Sequence, residues 1–106
     1  MFRGFLRLPS TRRDGRSFSE EEKRAVWNKA QLVVGYNPAF VRMDICGNLI
    51  EWKDYGNRNS RYGWEVDHIL AVASGGGDEF SNLQPLQWEN NVSKGDGPAY
   101  GYCKIG

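Results

Sequence analysis

The second half of the chain carries the pattern that most limits the fold. Residues 64–68 alternate between apolar and polar side chains, which predicts a β-strand. A glycine-rich loop at 74–78 follows, then a second short strand at 83–86 and a short helix at 87–94 that ends at Gly95. A chain of 106 residues suits one domain with one modest core. We therefore predict an α+β fold around this strand–loop–strand–helix unit.

Two further elements are predicted in the first half of the chain. Ser19 and Glu22 form a capping-box pattern, which predicts a helix that runs to about residues 29–31. Apolar runs at 41–45 and 49–52 flank a Gly-Asn turn, which is typical of a β-hairpin. The fold should therefore carry an N-terminal helix and an additional β-hairpin. Four tryptophans are expected in the core rather than as base-stacking platforms: Trp27, Trp52, Trp64 and Trp88.

Charge is unevenly distributed along the chain. Residues 1–16 hold five arginines and one aspartate, a net charge of +4, whereas the whole chain has a net charge of only +1. Such a basic segment either contacts phosphate groups or is a solvated tail, and both interpretations stay open here. We take residues 1–16 as a basic, flexible arm and residues 17–106 as the folded domain.

The two cysteines, Cys46 and Cys103, are far apart in sequence and belong to no CxxC pair. A structural zinc site needs about four ligands, so with one histidine in the chain we expect none. We expect free buried thiols in a reducing cytoplasm, with a disulfide as the alternative. No apolar run is long enough to span a membrane, and the first residues lack a secretory signal pattern. We therefore expect a cytoplasmic protein without a membrane partner.

A set of spaced polar residues resembles a known nuclease family. Asp67 and His68 close the first strand, Asn82 opens the second, and Asn91 lies on the helix with Lys94 three residues later. This order and spacing, together with the Gly-Gly-Gly-Asp loop, resemble the HNH nucleases, also called ββα-metal nucleases. The dipeptide alone would be a weak signal, but the complete spaced set is specific.

The resemblance implies a role for each of these residues. His68 would be the general base, and Asp67 and Asn91 would hold one divalent cation. Asn82 would brace the loop between the strands and orient His68 through a backbone contact. The similarity covers about residues 42–96, with the motif core at 64–95.

The chain departs from the commonest family pattern at the helix. Many members carry a histidine where this chain has Asn91, and some carry a further histidine at the position of Gly95. A carboxylate and an amide oxygen are hard ligands, which favour Mg²⁺ or Mn²⁺ over a thiophilic metal. The resemblance therefore implies a magnesium or manganese site in this chain.

The chemistry places a geometric demand on the strand end. A neutral imidazole, with an ordinary pKa of about 6.5, can take a proton from an attacking water. Neighbouring strand residues point to opposite faces, so Asp67 and His68 should diverge inside a regular strand. They can serve one phosphate only if the strand ends or bends at His68.

Four other charged residues are candidates for contact with the substrate or metal. Arg58, Arg61 and Lys94 could hold substrate phosphates, or could be solvated surface residues. Glu65 shares a strand face with Asp67 and could bind the metal through a water, or be a surface carboxylate.

Taken together, these features predict a metal-dependent endonuclease that hydrolyses phosphodiester bonds in DNA, duplex or single-stranded, with RNA left open as a substrate. The alternative is a catalytically silent nucleic-acid-binding module with the same fold, which the arginine-rich arm would also suit.

Overall fold

The computed structural model of the protein describes residues 7–105 as a small α+β fold with two helices and two antiparallel hairpins. Among these residues, no helix has the length and apolar character needed to cross a membrane. The elements in chain order are α1 (Glu20–Trp27), β1 (Val41–Met43), β2 (Leu49–Glu51), β3 (Trp64–His68), β4 (Leu83–Gln87) and α2 (Trp88–Lys94).

Helix α1 begins where its capping box predicts. The Ser19 hydroxyl accepts from the backbone N–H of Glu22, and the Glu22 carboxylate accepts from the backbone N–H of Ser19. The helix ends at Trp27, earlier than predicted. The reason is a competing tertiary contact, because Gln31 exchanges two backbone hydrogen bonds with Met43 beside β1.

Both predicted hairpins are confirmed. Strands β1 and β2 pair in antiparallel register, and so do β3 and β4. In the second hairpin Trp64 lies opposite Gln87 and His68 lies opposite Leu83. Helix α2 packs against β3 and β4, while α1 packs against β4. The second hairpin is therefore covered by both helices.

The core is built largely from indole rings. Trp27 and Trp64 are fully buried, with ring centroids 5.1 Å apart, and the partly buried Trp52 packs against both. The prediction of core tryptophans holds for these three residues. Trp88 differs because it is half-buried at the start of α2, where its indole N–H donates to the Ser60 carbonyl.

A buried carboxylate joins the first hairpin to α2. Asp44 is fully buried, and its Oδ1 accepts from two backbone N–H groups of its own turn, those of Cys46 and Asn48. Its Oδ2 accepts from the Gln87 backbone N–H and from the Asn90 side chain. Asp44 thus fixes where α2 begins relative to the first hairpin.

The expectation of free buried thiols is wrong, because Cys46 and Cys103 form a disulfide with an S–S distance of 2.00 Å. The C-terminal segment is held beside α2 by the Asn90 Oδ1, which accepts from the backbone N–H groups of Lys104 and Ile105. This contact brings Cys103 to the first hairpin across a sequence separation of 57 residues. No local sequence pattern indicates this proximity.

The described part of the basic arm is not a loose tail. Thr11 and Ser17 form a β-bridge, and Arg12 forms an ion pair with Glu22 of α1. The Ser10 hydroxyl accepts from the Val66 backbone N–H of β3 at 2.8 Å. Residues 7–16 are therefore bound to the domain, and the rest of the predicted arm lies outside the described residues.

Candidate functional site

A cleft of about 270 Å³ opens beside the end of β3. Its walls come from β3, from α2 and from residues 7–10 of the arm. Asp67, His68 and Asn91, which the motif predicted to act together, all line it. The neighbouring Asp67 and His68 of β3 and the distant Asn91 of α2 therefore border one surface depression.

His68 is held in a single orientation. The side chain is only 3% exposed, and Nε2 lies 2.7 Å from Oδ1 of Asp78. Because an ionised carboxylate can only accept, Nε2 carries the proton in the neutral ring and Nδ1 holds the lone pair. Nδ1 has no partner among the described residues, and none of their buried polar side-chain atoms is left unpartnered. Nδ1 is therefore the ring nitrogen with a lone pair to offer, on a side chain that lines the cleft.

Asp78 is ionised by its surroundings. Partial burial by itself raises the pKa of this carboxyl. Hydrogen bonds from His68 and from the Arg13 backbone N–H act in the opposite direction and help to outweigh the effect of burial. The result is a pKa below the ordinary aspartate value. Asp78 thus provides a stable negative acceptor for the His68 ring.

Asp67 is half of a buried ion pair. Its Oδ2 accepts from Gln84 at 2.9 Å, and its Oδ1 lies 3.4 Å from Nζ of Lys94. Burial raises the pKa of Asp67, and the contacts with Gln84 and Lys94 offset this only in part. The pKa of Asp67 therefore lies above the ordinary aspartate value, with burial as the main cause.

The end of β3 brings Asp67 and His68 to the same cleft despite strand alternation. Asp67 points to the α2 side, where it meets Lys94, and His68 points to the loop side, where it meets Asp78. The strand stops at His68, and the next residue, Ile69, donates its N–H to the Asn82 carbonyl. The cleft lies across this strand end, so both side chains border it.

Glu65 orients Asn91 and holds Arg58. Both of its carboxylate oxygens accept from the Arg58 guanidinium, at 2.7 and 2.9 Å, and Oε1 also accepts from the Asn91 amide nitrogen at 2.7 Å. Glu65 is thus occupied by protein donors instead of facing a metal-bound water. The Asn91 Oδ1 is left without a donor among the described residues and is open to solvent.

The two neighbouring asparagines on α2 differ in burial. Asn90 is fully buried and bonded to Asp44 and to the C-terminal segment, whereas Asn91 lines the cleft. Asn91 is therefore the asparagine that can present an oxygen to a ligand.

Asn82 braces the loop between β3 and β4. Its Oδ1 accepts from the Leu70 N–H, and its amide nitrogen donates to the carbonyls of Leu70 and Gly77. It does not touch the His68 ring. Its own carbonyl accepts from Ile69, the residue after His68, so its influence on the ring runs through the backbone.

Two of the predicted phosphate contacts do not reach the cleft. Lys94 is fully buried, and its Nζ donates to the His68 carbonyl at 2.8 Å and pairs with Asp67. Arg61 is exposed beside Tyr62, away from the cleft lining. Of the three cations, only Arg58 lines the cleft.

The sequence analysis assigned no role to several residues that the structure places at the site. Asp78, Gln84 and Arg7 border the predicted residues or the cleft itself, yet none belongs to the spaced motif. The position of Asp78 directly after three glycines was visible, but its contact with His68 depends on how the loop returns. Arg7 reaches the cleft only because the arm crosses β3 at Ser10.

The donor atoms in the cleft fit a hard cation. Among residues 7–105 there is no group of three or more His, Cys, Asp or Glu side chains arranged to hold a metal. The cleft instead offers the Asp67 carboxylate and the open Asn91 amide oxygen. Mg²⁺ commonly takes one or two protein oxygens of these types and fills its other positions with water and phosphate.

Comparison with known proteins identifies no relative: no family model, no curated protein and no solved structure matches the chain. The side chains of the cleft and their spacing are therefore the basis for proposing a function.

Proposed function

We propose that this protein is a metal-dependent endonuclease of the HNH type that hydrolyses phosphodiester bonds in DNA. The observation that carries the proposal is the meeting of Asp67, His68 and Asn91 at one cleft of about 270 Å³. The order of β3, β4 and α2 also follows the ββα arrangement that the motif implies.

In this proposal His68 is the general base. Its Nε2 donates to Asp78, so its Nδ1 lone pair is the site that can accept a proton from an attacking water. The ring is nearly buried, which limits its rotation once Nε2 is bonded to Asp78. General-base catalysis of this kind contributes about 10²- to 10⁴-fold to a rate.

Asp67 and Asn91 would hold one Mg²⁺ or Mn²⁺ through the carboxylate and the amide oxygen. The cation would stabilise the negative charge that develops on the phosphate and the leaving oxygen. Glu65 fixes Asn91 by accepting from its amide nitrogen, so the amide oxygen stays available. Lys94 and Gln84 hold the Asp67 carboxylate in place.

Arg58 is the proposed phosphate contact. Its guanidinium lines the cleft and is partly exposed, while its bidentate contact with Glu65 fixes its direction. A fixed guanidinium suits phosphate oxygens because its N–H donors are already arranged in a plane. Arg7 lines the same cleft and adds positive charge.

One contact favours the second candidate, a catalytically silent nucleic-acid-binding module. The ammonium group of Lys94 already pairs with Asp67, and it competes with a cation for that carboxylate. The two candidates differ in their dependence on metal, because cleavage requires a cation whereas binding through arginines does not.

A cleavage assay separates these candidates. Supercoiled plasmid, single-stranded DNA and RNA are each incubated with the protein in Mg²⁺ or Mn²⁺, with EDTA as one control and His68→Ala as another. We expect cleavage of DNA that EDTA abolishes and that His68→Ala reduces by at least about 100-fold. Binding that survives EDTA, with no cleavage of any substrate in either metal, would establish the silent module instead.

A further inference from the structure

We propose that Asp78 is a positioning residue for His68, and that the N-terminal arm holds Asp78 in place for this task. The inference rests on the proposed function for its catalytic meaning. Its structural content, a fixed tautomer of the His68 ring, can be measured without any substrate.

The contact between Asp78 and His68 sets the tautomer and the orientation of the imidazole ring. Oδ1 of Asp78 lies 2.7 Å from Nε2 of His68, in a region where the imidazole is 3% exposed. Phe18 packs against the same ring, with the centroids 6.1 Å apart. The carboxylate therefore selects the Nε2–H tautomer, while the phenyl ring limits rotation of the imidazole.

The arm supplies the other ligands of the Asp78 carboxylate. The backbone N–H of Arg13 donates to Oδ1 at 2.9 Å and to Oδ2 at 3.2 Å, and the Arg12 guanidinium lies 3.6 Å from Oδ2. The Arg13 N–H comes from a residue 65 positions away from Asp78 in the chain. The loop that carries Asp78 is thus tied to the arm at the carboxylate itself.

The arm has its own anchors on the domain. Ser10 bonds to the Val66 backbone of β3 and to the Tyr55 hydroxyl, and Arg12 pairs with Glu22 of α1. Arg13 is fixed between these two anchored positions and the turn that follows. Its N–H therefore has a defined position, which makes it a useful support for a carboxylate that must itself stay fixed.

This arrangement follows a general requirement of imidazole bases. A carboxylate that accepts from one ring nitrogen fixes the tautomer and ring angle, and it stabilises the cation formed when the other nitrogen takes a proton. Without it, the neutral ring can carry its proton on either nitrogen, and only one of the two forms directs a lone pair at the water.

The first experiment uses the fact that His68 is the only histidine. The ¹⁵N spectrum of the imidazole in the complete protein, at alkaline pH, assigns the protonated nitrogen without any need to separate signals. We expect a wild-type spectrum with Nε2 protonated and Nδ1 bare. In Asp78→Asn we expect a shift toward a mixture of the two forms, because a neutral amide can present either an oxygen or an N–H to the ring.

The second experiment measures cleavage kinetics in Mg²⁺ with variants at both ends of the contact. Asp78→Asn should lower kcat by about 10- to 100-fold, part of the contribution of a general base, with little change in KM. Asp14→Asn is the matched control, because this aspartate lies in the same arm and its recorded contacts are with Arg16.

The role of the arm is tested by removing one hydrogen-bond donor, the backbone N–H of Arg13. The Gly15 N–H donates to the Arg12 carbonyl, so Arg13 occupies the second position of a β-turn, where proline is favoured. Arg13→Pro therefore removes the N–H donor to Asp78 in a conformation that proline accepts. Arg13→Ala keeps the N–H and removes the side chain, which makes one long, exposed hydrogen bond of 3.4 Å to the Gly75 carbonyl. We expect the proline variant to lower kcat, by less than Asp78→Asn does, and the alanine variant to match wild type.

The outcomes are distinct. A wild-type ring protonated at Nδ1, or an Asp78→Asn variant with wild-type tautomer and kcat, would overturn the positioning role. Equal kcat for Arg13→Pro and Arg13→Ala would overturn the role of the arm. A wild-type protein that shows no cleavage refutes the proposed function, and the ¹⁵N comparison still decides whether Asp78 fixes the ring.

Discussion

Removing the Cys46–Cys103 disulfide should strongly destabilise the protein while leaving its packing nearly unchanged. Cys103 is exposed and Cys46 is half-buried, so replacing both with serine removes little apolar contact. The main change is in the unfolded chain, which is no longer closed into a loop. The disulfide is therefore expected to contribute chiefly through chain entropy.

The size of this effect follows from the loop that the bond closes. A sequence separation of 57 residues corresponds to a loop-closure entropy worth about 4 kcal/mol at 25 °C. A domain of this size typically has an unfolding free energy of about 5–15 kcal/mol. The double variant should therefore lose a large fraction of its stability.

Urea denaturation followed by tryptophan fluorescence measures this loss, because Trp27 and Trp64 are fully buried and report on the core. We expect Cys46→Ser/Cys103→Ser to unfold at a lower urea concentration, with a free energy of unfolding lower by about 4 kcal/mol. Either single variant in reducing buffer, and the reduced wild type, should match the double variant within about 1 kcal/mol, since each lacks the same bond.

Two results would refute this reasoning. Coincident unfolding of the wild type and the double variant in oxidising buffer would show that the bond contributes nothing. Two titratable free thiols in the purified wild-type protein would show that the bond does not form.

Three further predictions concern the loop, the cleft and pH. Gly76→Ala should destabilise the fold by about 1–3 kcal/mol in urea denaturation, because the new Cβ would lie 1.8 Å from a backbone carbonyl oxygen; Gly77→Ala, which meets only a flexible side-chain end, should cost less. Arg58→Ala should weaken DNA binding in EDTA, as measured by fluorescence anisotropy, whereas Arg61→Ala should change it little, because only the first residue lines the cleft. The pKa of Asp78 is lowered in the folded state, so its stabilising effect is complete above the ordinary carboxyl pKa and is lost as pH falls through the lowered value. The free energy of unfolding of the wild type minus that of Asp78→Asn should therefore decrease as the pH falls into the acid range. A difference that increases in acid would contradict this assignment.

Local patterns in the sequence were sufficient to predict most secondary structure. The capping box at Ser19 and Glu22 and the alternation in 64–68 each depend on neighbours within a few residues, and both elements form as predicted. The end of α1 was misplaced because Gln31 pairs with Met43, a contact that no local pattern encodes. Element boundaries thus failed where tertiary contacts decide them.

The candidate site divides in the same way. The spacing of Asp67, His68 and Asn91 predicted that these side chains meet, and all three line the cleft. The same spacing suggested that Lys94 contacts phosphate, but its burial against β3 gives it a partner inside the protein. A helical position specifies that a side chain is near a site, whereas its depth depends on the packing of that helix.

Loop and terminal contacts were beyond the reach of the sequence pattern. Asp78 contacts His68 because the glycine-rich loop folds back toward β3, where the Asn82 amide donates a hydrogen bond to the Gly77 carbonyl. Cys103 meets Cys46 because Asn90 holds the C-terminal segment. Each contact joins segments whose approach depends on the whole fold.

The central claim is that one imidazole at this cleft takes the proton of a water that attacks a phosphodiester. The most direct measurement is the single-turnover rate of DNA cleavage in Mg²⁺ for the wild type and for His68→Ala. The comparison requires that the two proteins have the same free energy of unfolding. We expect metal-dependent cleavage by the wild type and a rate at least about 100-fold lower for the variant. Equal rates for the two proteins would contradict it.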